Sequence, residues 1–287
     1  MANIDSNKAN RSNTAYLINS VQKTMTATMF MQAVKNKKVK LSDKLSKFYP
    51  EAPAASKITM NQLLHMTSGL IHNDTSYGTP KFKNNQAGIK YDLKKTKFDS
   101  KYYNKRSYQP INYVLLAGII EKVNHQSYEN IFNSTFIKKL GLKQTSFIWS
   151  KNLSRLNYAK GYGEKSGEIT EIIPNLNELH GEFGTGSIVM TNSDLYKTAK
   201  AMLDGTLLDK ATCNSLFQAE PNGNYSGGYY NYPTYHSTNG SGNGYTTYFR
   251  ISNDGKTALI IQANYLPKGY FELRSETNTL MENLVNS

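Results

Sequence analysis

Ser20-Val21-Gln22-Lys23 is the only S-x-x-K tetrapeptide in the chain, and the apolar, helix-patterned run 25–34 follows it at once. A serine at a helix start with a lysine three residues later carries hydroxyl and amine on one helix face, a turn apart. Serine alone is a poor nucleophile at neutral pH. A desolvated lysine amine within hydrogen-bond reach can take its proton, and the helix N-terminus stabilises negative charge that develops nearby. Serine and lysine are common enough here that chance supplies roughly two or three such tetrapeptides. The surrounding sequence therefore has to decide.

The chain has 287 residues, 38% of them hydrophobic, with 21 Tyr and 11 Phe. That is enough for one large domain or two packed subdomains with a real core, and it argues against disorder. The single cysteine, Cys213, excludes an internal disulfide framework and makes a cysteine zinc cluster implausible. The formal net charge of +13 comes mostly from scattered lysines, which draw a protein to polyanions such as nucleic acid, anionic lipid or wall phosphate polymers. No arginine-rich helix or aromatic nucleic-acid strand is present, so specific nucleic-acid recognition has little support. No apolar run reaches the ~18 residues needed to span a bilayer, and residues 1–13 are too polar for a signal peptide.

Along the chain, 16–18 reads as a short strand and 20–37 as a helix. A second short helix covers 58–66 with Thr59 as its cap. Residues 71–106 read as a long polar surface excursion. Helices follow over 112–123 and 128–140, the latter ended by Gly141. Gly184-Thr185-Gly186-Ser187 is a glycine turn, and a helix over 192–203 starts after it with Thr191 or Asn192 as cap. Residues 225–244 read as loop with strand. Residues 245–252 and 257–265 form a hairpin about Asn253-Asp254-Gly255, and a closing helix spans 272–285. The order is a helix-rich middle, an antiparallel hairpin, then a helix able to cover the sheet.

Other chemistries find no foothold. A G-x-S-x-G elbow is absent. His65, His72, His125 and His180 are isolated, without H-E-x-x-H, and His65 reads as structural. The glycine-rich run 240–244 lacks a nucleotide-binding spacing and a following helix. Nothing in the pattern asks for a cofactor or a metal ion.

Several segments together resemble the serine beta-lactamase-related and penicillin-binding protein family, in its class C-like branch. Tyr16-Leu17-Ile18-Asn19-Ser20-Val21-Gln22-Lys23-Thr24-Met25-Thr26-Ala27 looks like that family's nucleophile helix. Leu63-Leu64-His65-Met66-Thr67-Ser68-Gly69-Leu70 is similar to its L-L-x-H/M-x-S-G-L signature. Tyr108-Gln109-Pro110-Ile111-Asn112 sits where the second catalytic motif lies, and the segment from Gly184 to Leu195 resembles its glycine-turn-then-helix element. These segments stand in the right order along nearly the whole chain.

The resemblance implies a beta-lactamase/transpeptidase-like α/β (α+β) fold, an antiparallel sheet flanked by helices plus a helical subdomain. On that reading the helical part spans roughly 20–225, and the sheet part combines 1–19 with 226–287. It implies that Ser20 is acylated, that Lys23 accepts its proton, and that Tyr108 shares the relay and protonates the leaving group. A phenol needs neighbouring positive charge to serve as a base at all. The third motif aligns with Thr238-Asn239-Gly240-Ser241. There Gly240 permits close backbone approach, and the N–H groups of Ser241 and Ser20 form the oxyanion hole.

Two departures from the family pattern bear on the substrate. Pro110 stands where the family carries an Asn, and it can offer no side-chain amide and no N–H. Asn112, two residues on, either substitutes for that Asn or simply starts the helix. Thr238 stands where the family carries the cation of its third motif. His236, two residues upstream, reads as a surface residue.

The family's usual helix and two strands before the nucleophile helix have no counterpart in the 19 residues before Ser20. The expectation is a truncated or mis-started form of a longer exported protein, whose sheet exposes an edge. Membrane association would then come only through the missing N-terminal segment. If full length, the protein would be extracellular, wall-bound or membrane-anchored.

The resemblance is nearest to the branch that cleaves D-alanyl esters from teichoic acids. It implies an acyl-enzyme on D-alanyl groups of the Gram-positive cell wall, as esters or as D-Ala-D-Ala peptides. The competing expectation is a catalytically inactive relative that binds anionic wall polymer.

Overall fold

The computed structural model describes residues 3–4, 7–72, 80–219 and 224–287. Its centre is the α-helix Lys23–Lys35, entered through a 3-10 turn at Asn19–Gln22. Every residue from Lys23 to Met31 is buried. A helix buried all round has no solvent face to hold polar side chains, so its threonines must bond internally. Thr24, Thr26 and Thr28 all do so, each donating to a backbone carbonyl.

One side of this helix packs on Ile111–Asn124, whose first ten residues are all buried. The other side faces a five-stranded antiparallel sheet. Its strands run in consecutive order: Asn224–Ser226, Tyr229–Asn231, Tyr235–Gly242, Tyr245–Ser252 and Ala258–Ala263. The C-terminal helix Tyr270–Asn286 covers the far face. Tyr245–Ser252 is therefore sandwiched, and all eight of its residues are buried. Ala258–Ala263 is an edge, and its Ile261 is exposed.

The expected short helix is Met60–Leu64, closed by a capping box between Thr59 and Gln62. Thr191 caps Asn192–Leu203 by accepting from the Asp194 N–H. The 128–140 segment divides into an α-helix, Tyr128–Phe132, and a π-helical turn, Asn133–Lys138. Within 71–106 the chain forms the helix Asn85–Lys95 and the strand Thr96–Tyr103, which pairs with Ser68–His72. Residues 73–79 of that segment lie outside the described residues.

One subdivision differs from expectation. Tyr16–Leu17 does not join the C-terminal sheet. It pairs with Ile188–Met190, which also pairs with Thr145–Phe147, in a separate three-stranded sheet. The buried apolar core that begins at Ile18 runs continuously through the helices to Ile251, so helices and sheet share one interior.

Two glycines set how closely the sheet meets the nucleophile helix. A Cβ on Gly228 (φ +83°) would lie 2.4 Å from the Thr24 nitrogen, and one on Gly240 would lie 2.0 Å from the Ile18 carbonyl oxygen. Both contacts are backbone against backbone, so no side chain can swing away. Gly228→Ala is expected to cost about 1–3 kcal/mol through overpacking, with a left-handed backbone penalty in addition. Thermal denaturation should show a melting point lower by several degrees. An unchanged melting point would mean that the turn and the helix do not touch.

Candidate active site

Lys23 is 1% exposed, and its Nζ donates to the Ser20 hydroxyl over 2.8 Å and to the Thr185 carbonyl over 3.3 Å. The 3-10 turn brings hydroxyl and amine together, because residues three apart eclipse in that geometry. Asn19, just before the serine, takes a left-handed φ of +47°, which asparagine tolerates better than most residues. Its side chain donates to the Gly242 carbonyl over 3.1 Å, tying the nucleophile turn to the end of the neighbouring strand.

The glycine turn at 184–187 is the roof over this pair. Gln22 accepts from the Ser187 N–H over 2.6 Å, and Thr26 donates to the Gly184 carbonyl over 2.6 Å. Together with the Lys23 bond to Thr185, three side chains of the 3-10 turn and the helix it opens hold the glycine turn in place. The segment read from sequence as a helix-leading turn thus also supplies an acceptor for the lysine.

Tyr108 is 41% exposed and stands at the mouth of the cleft, with its ring centroid 5.3 Å from Lys23 Nζ. The cation sits over the ring. Among the described residues no hydrogen bond joins the phenol to the lysine. Behind Tyr108 lie Tyr225, edge-on at 5.7 Å, and then Tyr113. Burial pushes both of these phenols well above their ordinary pKa, so they stay neutral. Tyr113 accepts from the Gly228 N–H and donates to the Leu64 carbonyl.

Ser20, Tyr108, Thr238, Asn239 and Ser241 line one cleft of about 330 Å³. Gly240 lies directly against the Ile18 carbonyl beneath it. Asn112 is not part of this group. It is 1% exposed, its oxygen accepts from the Ser68 hydroxyl, and its NH₂ donates to the Gln109 carbonyl. Both ends of the amide are committed inside the protein, so the alternative of a helix-starting residue holds and substrate binding does not. Pro110 lines a neighbouring recess.

The sequence reading missed five residues. Arg250 is 0% exposed, under the third-motif strand. Its guanidinium donates to the Thr238 carbonyl, to Asn239 Oδ1 over 2.9 Å, and to the C-terminal helix at the Arg274 carbonyl and Thr277 hydroxyl. Guanidinium is donor-only, so it claims the Asn239 oxygen and leaves that amide's NH₂ for the cleft. Burial lowers the Arg250 pKa to about 10, so it remains charged at neutral pH. The only available signal was an arginine within an otherwise uncharged strand.

Arg274 lines the cleft and lies 4.6 Å over the Tyr230 ring, with Arg106 at 5.5 Å from the same ring. Neither arginine has a carboxylate partner among the described residues. Asn19 and Glu182 complete the missed set. Glu182 lines the recess that also holds Lys23 and Pro110. Glu182 is an exposed residue, though neighbouring protein atoms partly shield its carboxyl group from water. That desolvation raises its pKa above the usual carboxylate range, with Lys23 opposing.

His236, expected at the surface, is 4% exposed. Strand pairing carries it inward, where it packs on Phe217 and Tyr229 and bonds through Nδ1 to Asn231 Oδ1. It does not supply the missing third-motif cation.

Residues 1–279 match the family described as beta-lactamase. The chain belongs to the beta-lactamase family. Within it, the chain is 29% identical over 253 residues to the putative penicillin-binding protein PbpX of Bacillus subtilis, covering 88% of this chain and 62% of that protein. It is 29% identical over 261 residues to a teichoic acid D-alanine hydrolase of Staphylococcus aureus, covering 89% and 64%. The chain thus spans less than two thirds of the length of these curated relatives. Among solved structures, FmtA of Staphylococcus aureus superposes with a TM-score of 0.82 at 26% identity, covering 98% of this chain and 77% of that one. The D-amino acid amidase of Ochrobactrum anthropi gives the same TM-score at 20% identity over 99% and 88%, a likeness of fold. The mixed helix-and-sheet architecture of the beta-lactamase family is the one expected from the sequence.

Burial lowers the His236 pKa from its ordinary 6.5 to about 4. The unfolded chain therefore takes up the proton first as pH falls. Stability present above about pH 6.5 should decline progressively toward pH 4, by roughly 3 kcal/mol at most. Urea denaturation across that range should show the slope in the wild type and a flatter profile in His236→Gln. Equal slopes would remove His236 as the cause.

Proposed function

We propose that this chain is a serine hydrolase that forms an acyl-enzyme on D-alanyl groups of the bacterial cell wall. The observation that carries the reading is the 2.8 Å hydrogen bond between Lys23 Nζ and Ser20 Oγ at the wall of an open cleft. In its free-base form Lys23 takes the Ser20 proton as Oγ attacks the carbonyl carbon. Negative charge on the carbonyl oxygen is met by the backbone N–H groups of Ser20 and Ser241, both of which line the cleft. The tetrahedral species collapses by breaking the bond to the leaving group, and that group receives the Lys23 proton through the Tyr108 phenol. Water then attacks the acyl-enzyme by the reverse proton path, freeing the acid and restoring Ser20.

The substrate class follows from charge. An ester needs the nucleophile and the oxyanion hole but little clamping of a carboxylate. The cleft offers Arg274, which shares the Tyr230 ring with Arg106, in the same space as Tyr108. Guanidiniums there, without a carboxylate partner among the described residues, suit an anionic leaving group, and the +13 net charge suits a phosphate polymer. The relative named teichoic acid D-alanine hydrolase supports the same reading. D-alanyl esters of teichoic acid are therefore placed ahead of D-Ala-D-Ala peptides, and the bacterial wall is where the protein would work. Among the described residues no helix is long and apolar enough to cross a membrane.

Ser20→Ala should abolish both labelling by a fluorophosphonate probe and D-alanine release from D-alanylated teichoic acid. Lys23→Met should reduce both by at least about 10²-fold. Release should be faster from teichoic acid than from peptidoglycan stem peptides. A wild-type protein that takes no label and releases nothing, yet binds teichoic acid, would replace the enzyme with the inactive binder.

A further inference from the structure

Ser20 and Ser241 separate two spaces. One is the 330 Å³ cleft that contains Tyr108 and Arg274. The other is a recess of about 250 Å³, walled by Lys23, Pro110, Glu182, Thr185 and Gly242. On the hydrolase reading, the leaving group must reach the Tyr108 phenol and so occupies the first space. The substituents on the acyl carbon are left with the second. Its volume is below the roughly 300–1,000 Å³ of pockets that hold drug-sized ligands, so it suits a small acyl unit.

The Glu182 side-chain carboxylate makes no hydrogen bond or ion pair among the described residues. Lys23 acts on it only through space, because its Nζ donates to Ser20 and Thr185 rather than to the carboxylate. Glu182 is nonetheless fixed in place. Its N–H donates to the Glu178 carbonyl, and its own carbonyl accepts from both the N–H and the hydroxyl of Thr185. A Cβ built on Gly186 would lie 3.3 Å from Glu182 Oε2 and 3.6 Å from the Asn19 Cα. The carboxylate thus lies across one glycine from the nucleophile turn, and the missing side chain at Gly186 keeps that space open.

From this arrangement we infer that Glu182 binds the free α-ammonium of the acyl group, so that the chain takes unblocked D-aminoacyl esters rather than N-acylated ones. The inference rests on the hydrolase reading and deepens it. In an aminoacyl ester the ammonium sits on the carbon next to the reacting carbonyl, which places it in the recess. A charge-assisted bond to Glu182 holds it there. An N-acylated substrate brings a neutral amide instead, and it leaves the carboxylate without a cation to pair with. Pro110 points the same way. It offers no side-chain partner for the amide of an N-acylated chain, whereas an ammonium needs none from that wall.

The test compares glycerol esters of D-alanine and of N-acetyl-D-alanine, with fluorophosphonate labelling of Ser20 in parallel. Wild type should favour the free amine by 10²-fold or more in kcat/KM. Glu182→Gln should shrink that ratio at least tenfold, mainly through KM for the D-alanyl ester, and Glu182→Asp should restore part of it. The inference is overturned if wild type shows no preference, if the ratio survives in Glu182→Gln, or if that variant loses both substrates in proportion. Absence of Ser20 labelling in the wild type would instead bring down the hydrolase reading, and this inference with it. Strong labelling with preference for the N-acetyl ester leaves the hydrolase standing and removes Glu182 as an ammonium site.

Discussion

A lysine side chain held at 1% exposure must have its donors satisfied or its burial would be prohibitive. Lys23 meets that constraint with the Ser20 hydroxyl, the Thr185 carbonyl and the ring of Tyr108. Each partner comes from a different part of the chain, and each is positioned by further bonds. Gln22 and Thr26 fix the turn that carries Thr185. Asn19 fixes the turn that carries Ser20. The tyrosine stack of 108, 225 and 113 leads to Gly228, which touches the helix backbone itself. The fold around the amine can be read as the set of supports that keep three acceptors pointed at one nitrogen.

What the sequence made legible was local or linear. The S-x-x-K spacing, the Thr59 capping box, the Thr191 cap and the hairpin about Asp254 each depend on residues within a few positions of one another, where helix and turn geometry dictate contact. Ser20, Lys23, Tyr108, Thr238, Asn239 and Ser241 all border the site or its recess. Linear reading failed where tertiary placement decides. Asn112 has the right chemistry for the second motif, but helix phase turns it inward to Ser68. His236 lies on a polar stretch, but it sits in a strand segment, 235–238, that is buried on both faces. Arg250 and Glu182 come from segments with no motif at all. The three-stranded sheet joins very short strands, with Tyr16–Leu17 more than 170 residues from its partner Ile188–Met190, beyond the reach of periodicity.

The charges of the site are segregated. Arg274 and Arg106 flank the side shared with Tyr108, and Glu182 occupies the recess beside Lys23. Arg250 sits beneath the strand between them and spends its guanidinium on backbone and on Asn239 rather than on substrate. Where the family pattern places a cation on the strand itself, this chain has moved positive charge to the covering helix. The strand is left to present backbone and amide donors in a low-dielectric setting, where oriented dipoles count for more than they do in water.

The two halves of the site are far apart in the order of synthesis. Ser20 and Lys23 leave the ribosome early, while Ser241 and the helix bearing Arg274 follow more than 200 residues later. At roughly 5–20 residues per second, the serine waits some tens of seconds for the strand that completes its surroundings. Throughout that interval it is an ordinary alcohol beside an ordinary solvated amine. Reactivity is therefore acquired only once Ser241 and Arg274 have been made, and a nascent chain that stops short of them has little means of acylating itself on stray esters.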